Sequence, residues 1–359
     1  MSRPIQALID LSALEHNLSV VRRHAPRSRV MAVIKADAYG HGLLRAAEAL
    51  NRADGFAMLE LDAAVRLREA GYRQRILLLE GFFSIEELAL IEQYQLSIVI
   101  HNHEQLSMLC AYNSRGRFNP DIFLKVNTGM NRLGFTPDQC SVVLETLRGS
   151  HAVGDITLMT HFSRADEIDG RESMARQLKR FGGVAAGRHL SCSLANSAAI
   201  LCYPETHADW VRPGIMLYGG SPLVGTSAAE LDLRPAMTIS SRVIAVQALK
   251  PGDGIGYGHI FHADRAMRVG IVAGGYADGY PRHAPTGTPV LVNNRRTRIL
   301  GRVSMDMLHV DLSGVPDAGA GSPVTLWGKG LPVEEVAQAA GTVGYELLCA
   351  LAPRMRIVT

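Results

Sequence analysis

The stretch RVMAVIKADAYGHG, residues 29–42, provides the starting point for the fold. It begins as an apolar run and reaches Lys35, after which the chain turns through Gly, Tyr and His. A short apolar run bounded by turn-forming residues is typical of a buried β-strand. The stretch therefore predicts a strand with a lysine at its carboxyl end.

Seven similar apolar runs follow before residue 219. With the first, the predicted strands are RVMAVIK (29–35), GFAML (55–59), RILLLE (75–80), LSIVI (96–100), DIFLKV (121–126), DITLMTHF (155–162), HLSCSL (189–194) and ADWVRPG (208–214). The segments between them carry helix signals. One is SALE, in which Ser12 and Glu15 have the spacing of a capping box. Strands that alternate with helices indicate a parallel sheet, and eight such units indicate a (β/α)8 barrel.

The pattern changes after about Leu231, where β-rich runs are separated by Gly and Pro at hairpin-like intervals. A single helix, PVEEVAQAAG (332–341), follows late. The predicted fold class is α/β, with an N-terminal (β/α)8 TIM-like barrel over residues 1–230 and a C-terminal mostly β domain over residues 231–359. The prediction allows the first few residues to pair with the C-terminal domain instead of the barrel.

Composition narrows the class of protein. The 359 residues are 47% hydrophobic, which allows a large core, and the net charge is only +3. Lys and Arg form no basic stripe, so nucleic acid and anionic membranes are not expected partners. Five scattered cysteines without CxxC spacing argue against a disulfide framework or a zinc site and are expected to be buried. With no apolar leader and no run of membrane-span length, a cytoplasmic enzyme or binding protein is predicted.

Polar residues mark the carboxyl ends of the predicted barrel strands, the face on which such barrels build active sites. These residues are Lys35, Lys125, Arg132, His161, Asn196, Ser197 and Arg212. The stretch PGIMLYG (213–219) is expected to open a helix whose free N–H groups, together with the Ser197 hydroxyl, suit a phosphate.

A lysine, a phosphate cradle and an arginine between them suggest pyridoxal phosphate as cofactor. Lys35 would hold the cofactor and Arg212 would face its pyridine nitrogen. A guanidinium stays protonated, so it donates only to an unprotonated nitrogen. Arg212 would thus weaken the ring as an electron sink and limit side reactions such as transamination.

Eight motifs in order carry a family resemblance. They are AVIKADAYGHG (32–42), KVNTGMNRLGF (125–135), THFSRADE (160–167), ANSAA (195–199), WVRPGIMLYG (210–219), GYGHIF (256–261), GGYADGYPR (274–282) and GRVSMDM (301–307). Through them the chain resembles bacterial alanine racemase, a pyridoxal-phosphate-dependent isomerase of fold type III, along essentially its whole length. The resemblance implies two-base interconversion of L- and D-alanine that supplies D-alanine for peptidoglycan.

The resemblance also implies roles for individual residues. Lys35 and Tyr257 match the two catalytic bases, while Arg132 and Met305 match substrate-binding positions. The cofactor-binding positions are Lys35, Tyr39, His161, Asn196, Ser197, Arg212, Gly214 and Ile215. No metal is implied. The family forms a head-to-tail homodimer in which Tyr257 and Met305 reach the other subunit's cofactor. Arg132 directly, and His161 in a chain toward Arg212, are expected to supply the positive charge that lowers the pKa of Tyr257.

Three positions depart from the pattern of many members. Asn127 stands where an aspartate is common, which leaves open whether Lys125 carries the carbamate found in relatives. Ser193 stands where a histidine often supports the arginine on the pyridine side, so Arg212 is expected to be held by other groups. Pro353 is taken as the place where some members have a phosphate-contacting tyrosine, which would leave more of that work to Tyr39.

Other readings remain. A pyridoxal-phosphate racemase of other or broader amino acid specificity is the main alternative, and an anabolic and a catabolic enzyme are not distinguished. A basic amino acid decarboxylase, a non-enzymatic pyridoxal-phosphate carrier with a single barrel and a Schiff-base aldolase are weaker. HNHE (101–104) has metal-like residues but lacks a matching carboxylate cluster, so it is expected on the surface.

Overall fold

The computed structural model describes residues 3–112, 119–150 and 153–359. Strand β1 (Gln6–Ile9) comes first, and the next eight strands form a closed barrel in chain order. These are β2 (Arg29–Val33), β3 (Gly55–Met58), β4 (Arg75–Leu78), β5 (Ser97–Ile100), β6 (Ile122–Lys125), β7 (Ile156–Met159), β8 (Ser191–Ser193) and β9 (Trp210–Val211). All neighbours are parallel, and β9 closes the barrel by pairing with β2. The predicted eight-stranded barrel is therefore confirmed.

Helices and turns connect the barrel strands. They are α1 (Leu11–His24), α2 (Lys35–Tyr39), α3 (Leu43–Ala49), α4 (Leu61–Glu69), α5 (Glu87–Gln93), α6 (His103–Ala111), α7 (Cys140–Gly149), α8 (Arg171–Ala185) and α9 (Ser197–Cys202). Every residue of β3, β5 and β6 is buried. This follows from the architecture, because such strands have the barrel interior on one face and helices on the other.

The start of α1 differs from the prediction. The helix begins at Leu11, and the capping residue is Asp10, whose carboxylate accepts from Ala13 N at 3.2 Å. The Ser12 hydroxyl is not a cap, because it donates to the same carboxylate at 2.6 Å. An aspartate one residue before the helix is at least as good a cap as a serine, so the predicted capping box at Ser12 is wrong.

The chain after the barrel forms most of a second sheet. Its strands and the small hairpin beside it are β10 (Met237–Leu249), β11 (Gly254–Ile255), β12 (Phe261–His262), β13 (Met267–Ala273), β14 (Pro289–Val292), β15 (Arg295–Leu300), β16 (Met307–Asp311), β17 (Pro323–Trp327) and β18 (Arg356–Val358). Two helices, α10 (Val333–Ala339) and α11 (Gly344–Cys349), complete the part that follows the barrel. The strand order is β13-β16-β15-β14-β17-β10-β1-β18, and β11 pairs with β12 in a separate two-stranded sheet. The predicted mostly β C-terminal part is present.

The first strand belongs to this second sheet. β1 pairs antiparallel with β10, with Gln6 opposite Ser240, and parallel with β18. The chain leaves the sheet at Asp10, after β1, and returns to it at Ala236, before β10. These two points are adjacent, because Asp10 N donates to Ala236 O at 2.8 Å. The predicted division between residues 230 and 231 falls within the short 3-10 helix Ala229–Leu231, ahead of β10, and stays a prediction.

Short 3-10 helices occupy several loops, among them Pro204–Thr206, Ile215–Tyr218, Tyr257–His259 and Tyr276–Asp278. The last of these is held by ion pairs. Asp278, 1% exposed at its side chain, pairs with Arg3 at 2.9 Å and with Arg354 at 2.8 Å. Residues near both ends of the described chain thus fix this turn.

Segment α2 is a left-handed turn. Residues 36–39 have φ between 50° and 56°, a conformation that costs roughly 1–2 kcal/mol per non-glycine residue. Packing offsets this cost: the Tyr39 ring stacks on Tyr218 with centroids 4.6 Å apart. His41 Nδ1 lies 2.8 Å from Tyr39 O, and complete burial lowers the pKa of His41 to about 4. The neutral ring is therefore a donor at Nδ1.

Two surface expectations can also be compared with the structure. No helix among the described residues is long and apolar enough to span a membrane. All five cysteines are free, but only Cys140 is buried; Cys192 is intermediate, and Cys110, Cys202 and Cys349 are exposed. The expectation that all five thiols are buried is wrong, because three of them lie in α6, α9 and α11 at positions that face away from the core.

Candidate active site

A cavity of about 790 Å³ opens at the carboxyl ends of the barrel strands. The structure brings together in its wall most of the predicted site residues, namely Lys35, Tyr39, Arg132, His161, Asn196, Ser197, Arg212, Gly214 and Ile215. Tyr257 and Met305 are not in this wall. They lie on the C-terminal part of the chain, 73% and 51% exposed.

Lys35 follows β2 and begins the left-handed turn, which keeps its side chain at the cavity. Among the described residues its amine has no hydrogen-bond or ion-pair partner. Tyr39, at the other end of the turn, is 6% exposed, and burial raises its pKa far above the ordinary value. Its hydroxyl is therefore a permanent donor at neutral pH.

The loops after β8 and β9 form a compact cradle. Ser197 Oγ accepts from Gly214 N at 2.8 Å, and Asn196 caps α9 by accepting from Ala199 N at 3.0 Å. A Cβ atom on Gly214 would lie 2.7 Å from the Tyr39 hydroxyl, so only glycine leaves room here. Backbone N–H groups at the starts of two short helices, beside two hydroxyls, suit an anionic ligand.

Arg212 is 4% exposed at the floor of the cavity. Its Nη1 donates to Ser193 Oγ at 2.6 Å, and its Nη2 donates to Thr160 O at 2.6 Å and to Leu194 O at 3.2 Å. Arg212 is thus held by other groups, as expected, namely two backbone carbonyls and the hydroxyl of Ser193 itself. Within residues 3–112, 119–150 and 153–359, Nε has no acceptor. Burial lowers the pKa of Arg212 to about 9, which still leaves it charged at neutral pH.

His161 lies beside Arg212, with Nδ1 3.5 Å from Nη2. Its pKa is far below the ordinary value, first because the ring is buried and then because of the Arg212 charge. At neutral pH His161 is therefore an uncharged imidazole. His161 therefore adds no charge of its own, and the positive charge in the expected chain is that of Arg212, which His161 contacts.

Lys125 ends β6 and is 6% exposed. Its pKa is lowered to about 8, mainly by burial and then by Arg212, Arg132 and Lys35. The cavity wall contains these four cationic side chains against two carboxylates, Glu80 and Asp166. The imbalance favours a ligand with more than one negative charge.

Asn127 shapes the loop that carries Arg132. Its Oδ1 accepts from Gly129 N and Asn131 N, both at 3.1 Å, and its Nδ2 donates to Asn131 Oδ1 at 3.1 Å. An aspartate accepts the same two backbone bonds, so the amide keeps the loop but lacks the charge.

The sequence analysis missed several wall residues. Tyr345 and Cys349, both from α11, line the cavity, and the Tyr345 ring lies 6.0 Å from that of Tyr39. Pro353 is outside this wall, and its match to the phosphate-contacting tyrosine of some members stays a prediction. No local signal marks Tyr345, because α11 reaches the barrel through tertiary packing.

Glu80 and His101 were missed although they follow β4 and β5 at the ends of barrel strands. Both line the cavity, and His101 Nε2 lies 3.1 Å from Glu80 O. The expectation that His101 lies on the surface is therefore wrong. Within the part of the chain that the structure describes, no group of three or more His, Cys, Asp or Glu residues is arranged to hold a metal ion.

Comparison with known proteins identifies the family. Residues 9–222 match the model of the alanine racemase N-terminal domain, and residues 236–359 match that of the alanine racemase C-terminal domain. The chain is 71% identical over 359 residues to an alanine racemase of Nitrosospira multiformis, with all of both chains covered. It is 52% identical to a catabolic alanine racemase of Salmonella typhimurium, again over the full length of both chains.

A solved structure agrees with these relatives. The biosynthetic alanine racemase from Pseudomonas aeruginosa superposes with a TM-score of 0.97 at 46% identity, covering 99% of each chain. Two family models spanning both parts of the chain, and relatives matched from end to end, lead to one conclusion: the chain belongs to the alanine racemase family.

Proposed function

We propose that the protein is an isomerase that interconverts L- and D-alanine with pyridoxal 5'-phosphate as cofactor. The observation that carries the proposal is the arrangement of the cavity. Within the described part of the chain, a lysine amine without a partner faces a cavity that also contains a cradle for an anion and a buried arginine whose Nε has no acceptor.

The residues present fit this cofactor. Ser197, Tyr39 and the backbone at Gly214 and Ile215 would hold its phosphate, and Arg212 Nε would donate to its ring nitrogen. A cavity of about 790 Å³ is large enough for the cofactor and a small amino acid. When bound through Lys35, the cofactor supplies an electron sink that acidifies the Cα–H bond of the amino acid.

The protein's own task is to move a proton on each face of that carbon. One side chain cannot easily reach both faces, so two bases are needed. Lys35 Nζ would exchange the proton on one face, and Tyr257 Oη would exchange it on the other. Arg132 would bind the substrate carboxylate, and Met305 would complete the substrate pocket.

A second copy of the chain is required for this arrangement, because Tyr257 and Met305 do not line the cavity of their own chain. Exposed apolar side chains on the C-terminal part of the chain, these two included, support a head-to-tail homodimer. They include Tyr257, Ile260, Tyr276, Met305 and Met307, with exposures from 37% to 73%. Residues 231–359 of one copy would thus serve the barrel, residues 1–230, of the other.

Alanine is the proposed substrate, and supply of D-alanine for peptidoglycan is the proposed role. Five free thiols fit a reducing compartment, which supports a cytoplasmic location. The alternative is a racemase of other or broader amino acid specificity, since no contact with a substrate side chain is defined.

The deciding experiment is chiral analysis of L-alanine incubated with the purified protein and pyridoxal phosphate. We expect a near-equal mixture of enantiomers. Absence of D-alanine despite bound cofactor would overturn the proposal for alanine, and other amino acids tested in parallel would decide the alternative.

Tyr257→Phe tests the two-base assignment in deuterated solvent. We expect this variant to bind the cofactor as the wild type does but to lose deuterium exchange at Cα for one enantiomer only. Exchange at wild-type rates for both enantiomers would exclude Tyr257 as a base.

A further inference from the structure

Gln177 is a buried polar residue of α8 that does not line the cavity. It is 2% exposed. Its Nε2 donates to Thr128 Oγ1 at 3.0 Å and to His161 O at 3.1 Å, while its Oε1 accepts from the backbone N and the hydroxyl of Ser163, each at 3.1 Å. A glutamine amide offers two donors and two acceptor sites, so all four are used.

These four bonds join two different loops. Thr128 lies in the loop after β6, between Lys125 and Arg132, and His161 and Ser163 lie in the loop after β7. The bond to His161 O and the bond from Ser163 N hold the backbone on either side of Phe162. The amide therefore fixes the position of the His161 segment against the loop that carries Arg132.

The contact continues inward through two buried hydroxyls. Thr128 Oγ1 lies 2.7 Å from Thr160 Oγ1, and the latter also donates to Val126 O at 3.0 Å. Both threonines are 1% exposed. Thr160 O in turn accepts from Arg212 Nη2 at 2.6 Å. A continuous polar path thus runs from α8 to the arginine at the cavity floor.

We propose that Gln177 is a positioning residue for the reaction: it sets the register between the loops that carry Arg132 and His161, and so maintains the contact between His161 and Arg212. This inference rests on the proposed racemase function. The phosphate cradle lies on the loops after β8 and β9, which Gln177 does not touch. Substrate turnover and cofactor affinity should therefore respond differently to its replacement.

Gln177→Glu is the sharpest change, because it keeps the size of the side chain and its bonds from Ser163. It replaces the donor at 3.1 Å from His161 O by an oxygen, which repels the carbonyl. Since small displacements of positioned groups cost up to about 100-fold in rate, we expect kcat/KM for alanine to fall about 10- to 100-fold. Affinity for pyridoxal phosphate, measured by absorbance titration, should change less than about threefold, in keeping with the untouched cradle.

The matched control is Lys179→Gln, an exposed position on the same helix, which should leave both quantities unchanged. Thr128→Val provides a second variant that removes one link and keeps Gln177. In the double variant, the factor by which kcat/KM falls should be smaller than the product of the two single-variant factors, because both changes act through one path.

Melting temperature and kcat/KM together distinguish a residue that only stabilises the fold from one that positions the loops of the site. If Gln177→Glu lowers the melting temperature while kcat/KM stays within about twofold of wild type, the residue only stabilises the fold and the inference is overturned. If Gln177→Glu does not fold, unchanged activity of Thr128→Val overturns it. Failure of the wild type itself to racemise alanine would instead refute the proposed function.

Discussion

Lys125 should make the stability of the cofactor-free protein depend on pH in an unusual direction. The ammonium is buried beside three other cations, and its pKa falls from the ordinary 10.5 to about 8. At about 1.4 kcal/mol per pH unit, the folded state then pays about 3 kcal/mol at pH 7 for keeping this lysine charged.

The sign follows from proton binding. Between pH 8 and 10.5 the unfolded chain holds more protons on this lysine than the folded chain, so stability increases with pH in that window. The penalty is fully present below pH 8 and is relieved as the pH rises. From pH 7 to 9.5, Lys125 should add about 2 kcal/mol to the free energy of unfolding.

Comparison with Lys125→Met isolates this contribution, since methionine is unbranched, similar in reach and uncharged. Urea unfolding of both proteins without cofactor, in buffer free of carbon dioxide, can be followed by the fluorescence of the two buried tryptophans, Trp210 and Trp327. The stability difference between variant and wild type should shrink by about 2 kcal/mol from pH 7 to 9.5. A difference that stays constant across this range would refute the assignment of a buried, charged Lys125.

The same pair of proteins addresses the carbamate that the sequence left open. A free amine reacts with carbon dioxide to give a carbamate and a proton. If Lys125 is modified, bicarbonate at pH 8 will stabilise the wild type but not Lys125→Met. Equal responses of the two proteins would exclude the modification at this residue.

Three further changes have defined outcomes. Gly214→Ala places a methyl group 2.7 Å from the Tyr39 hydroxyl, so cofactor affinity, measured by absorbance titration, should fall about tenfold; no loss of affinity would contradict the geometry of the cradle. Ser193→Ala removes the 2.6 Å bond to Arg212 and should lower the free energy of urea unfolding by about 1–2 kcal/mol, and an unchanged value would show that the carbonyl bonds suffice. Asp278→Asn weakens two ion pairs whose arginines are about 40% exposed, so it should cost about 1 kcal/mol in low salt and less in 1 M NaCl, and a loss independent of salt would argue against an electrostatic cause.

The barrel could be predicted from sequence because its signal is local. Each strand is a short, almost wholly buried apolar run, as in β5 and β6, and the polar residues that follow such runs must meet at one end of a parallel barrel. That rule placed Lys35, His161 and Arg212 in one cavity. Applied to every strand, it would also have found Glu80 and His101.

Other parts of the site depend on tertiary structure that no local pattern contains. Tyr345 reaches the cavity because α11 packs against the left-handed turn, where Gly40 lies so close that a Cβ would approach Leu348 O to 2.3 Å. The neutral state of His161 follows from burial beside Arg212, which residue spacing does not report. The sequence does not reveal the contacts of Gln177 either, because any polar residue on the buried face of a helix gives the same pattern.

The two connections between barrel and sheet have a mechanical consequence. Because β1 starts in the sheet and β10 returns to it, the barrel behaves as a long insertion anchored at two adjacent points, Asp10 and Ala236. The packing of α11 against the left-handed turn adds a third contact, so a displacement of the barrel against the sheet would also move the cavity wall that Tyr345 and Cys349 supply. In the proposed homodimer the same displacement would occur in both chains, so one substitution at Asp10 or Ala236 would alter two sites at once, and in the same direction.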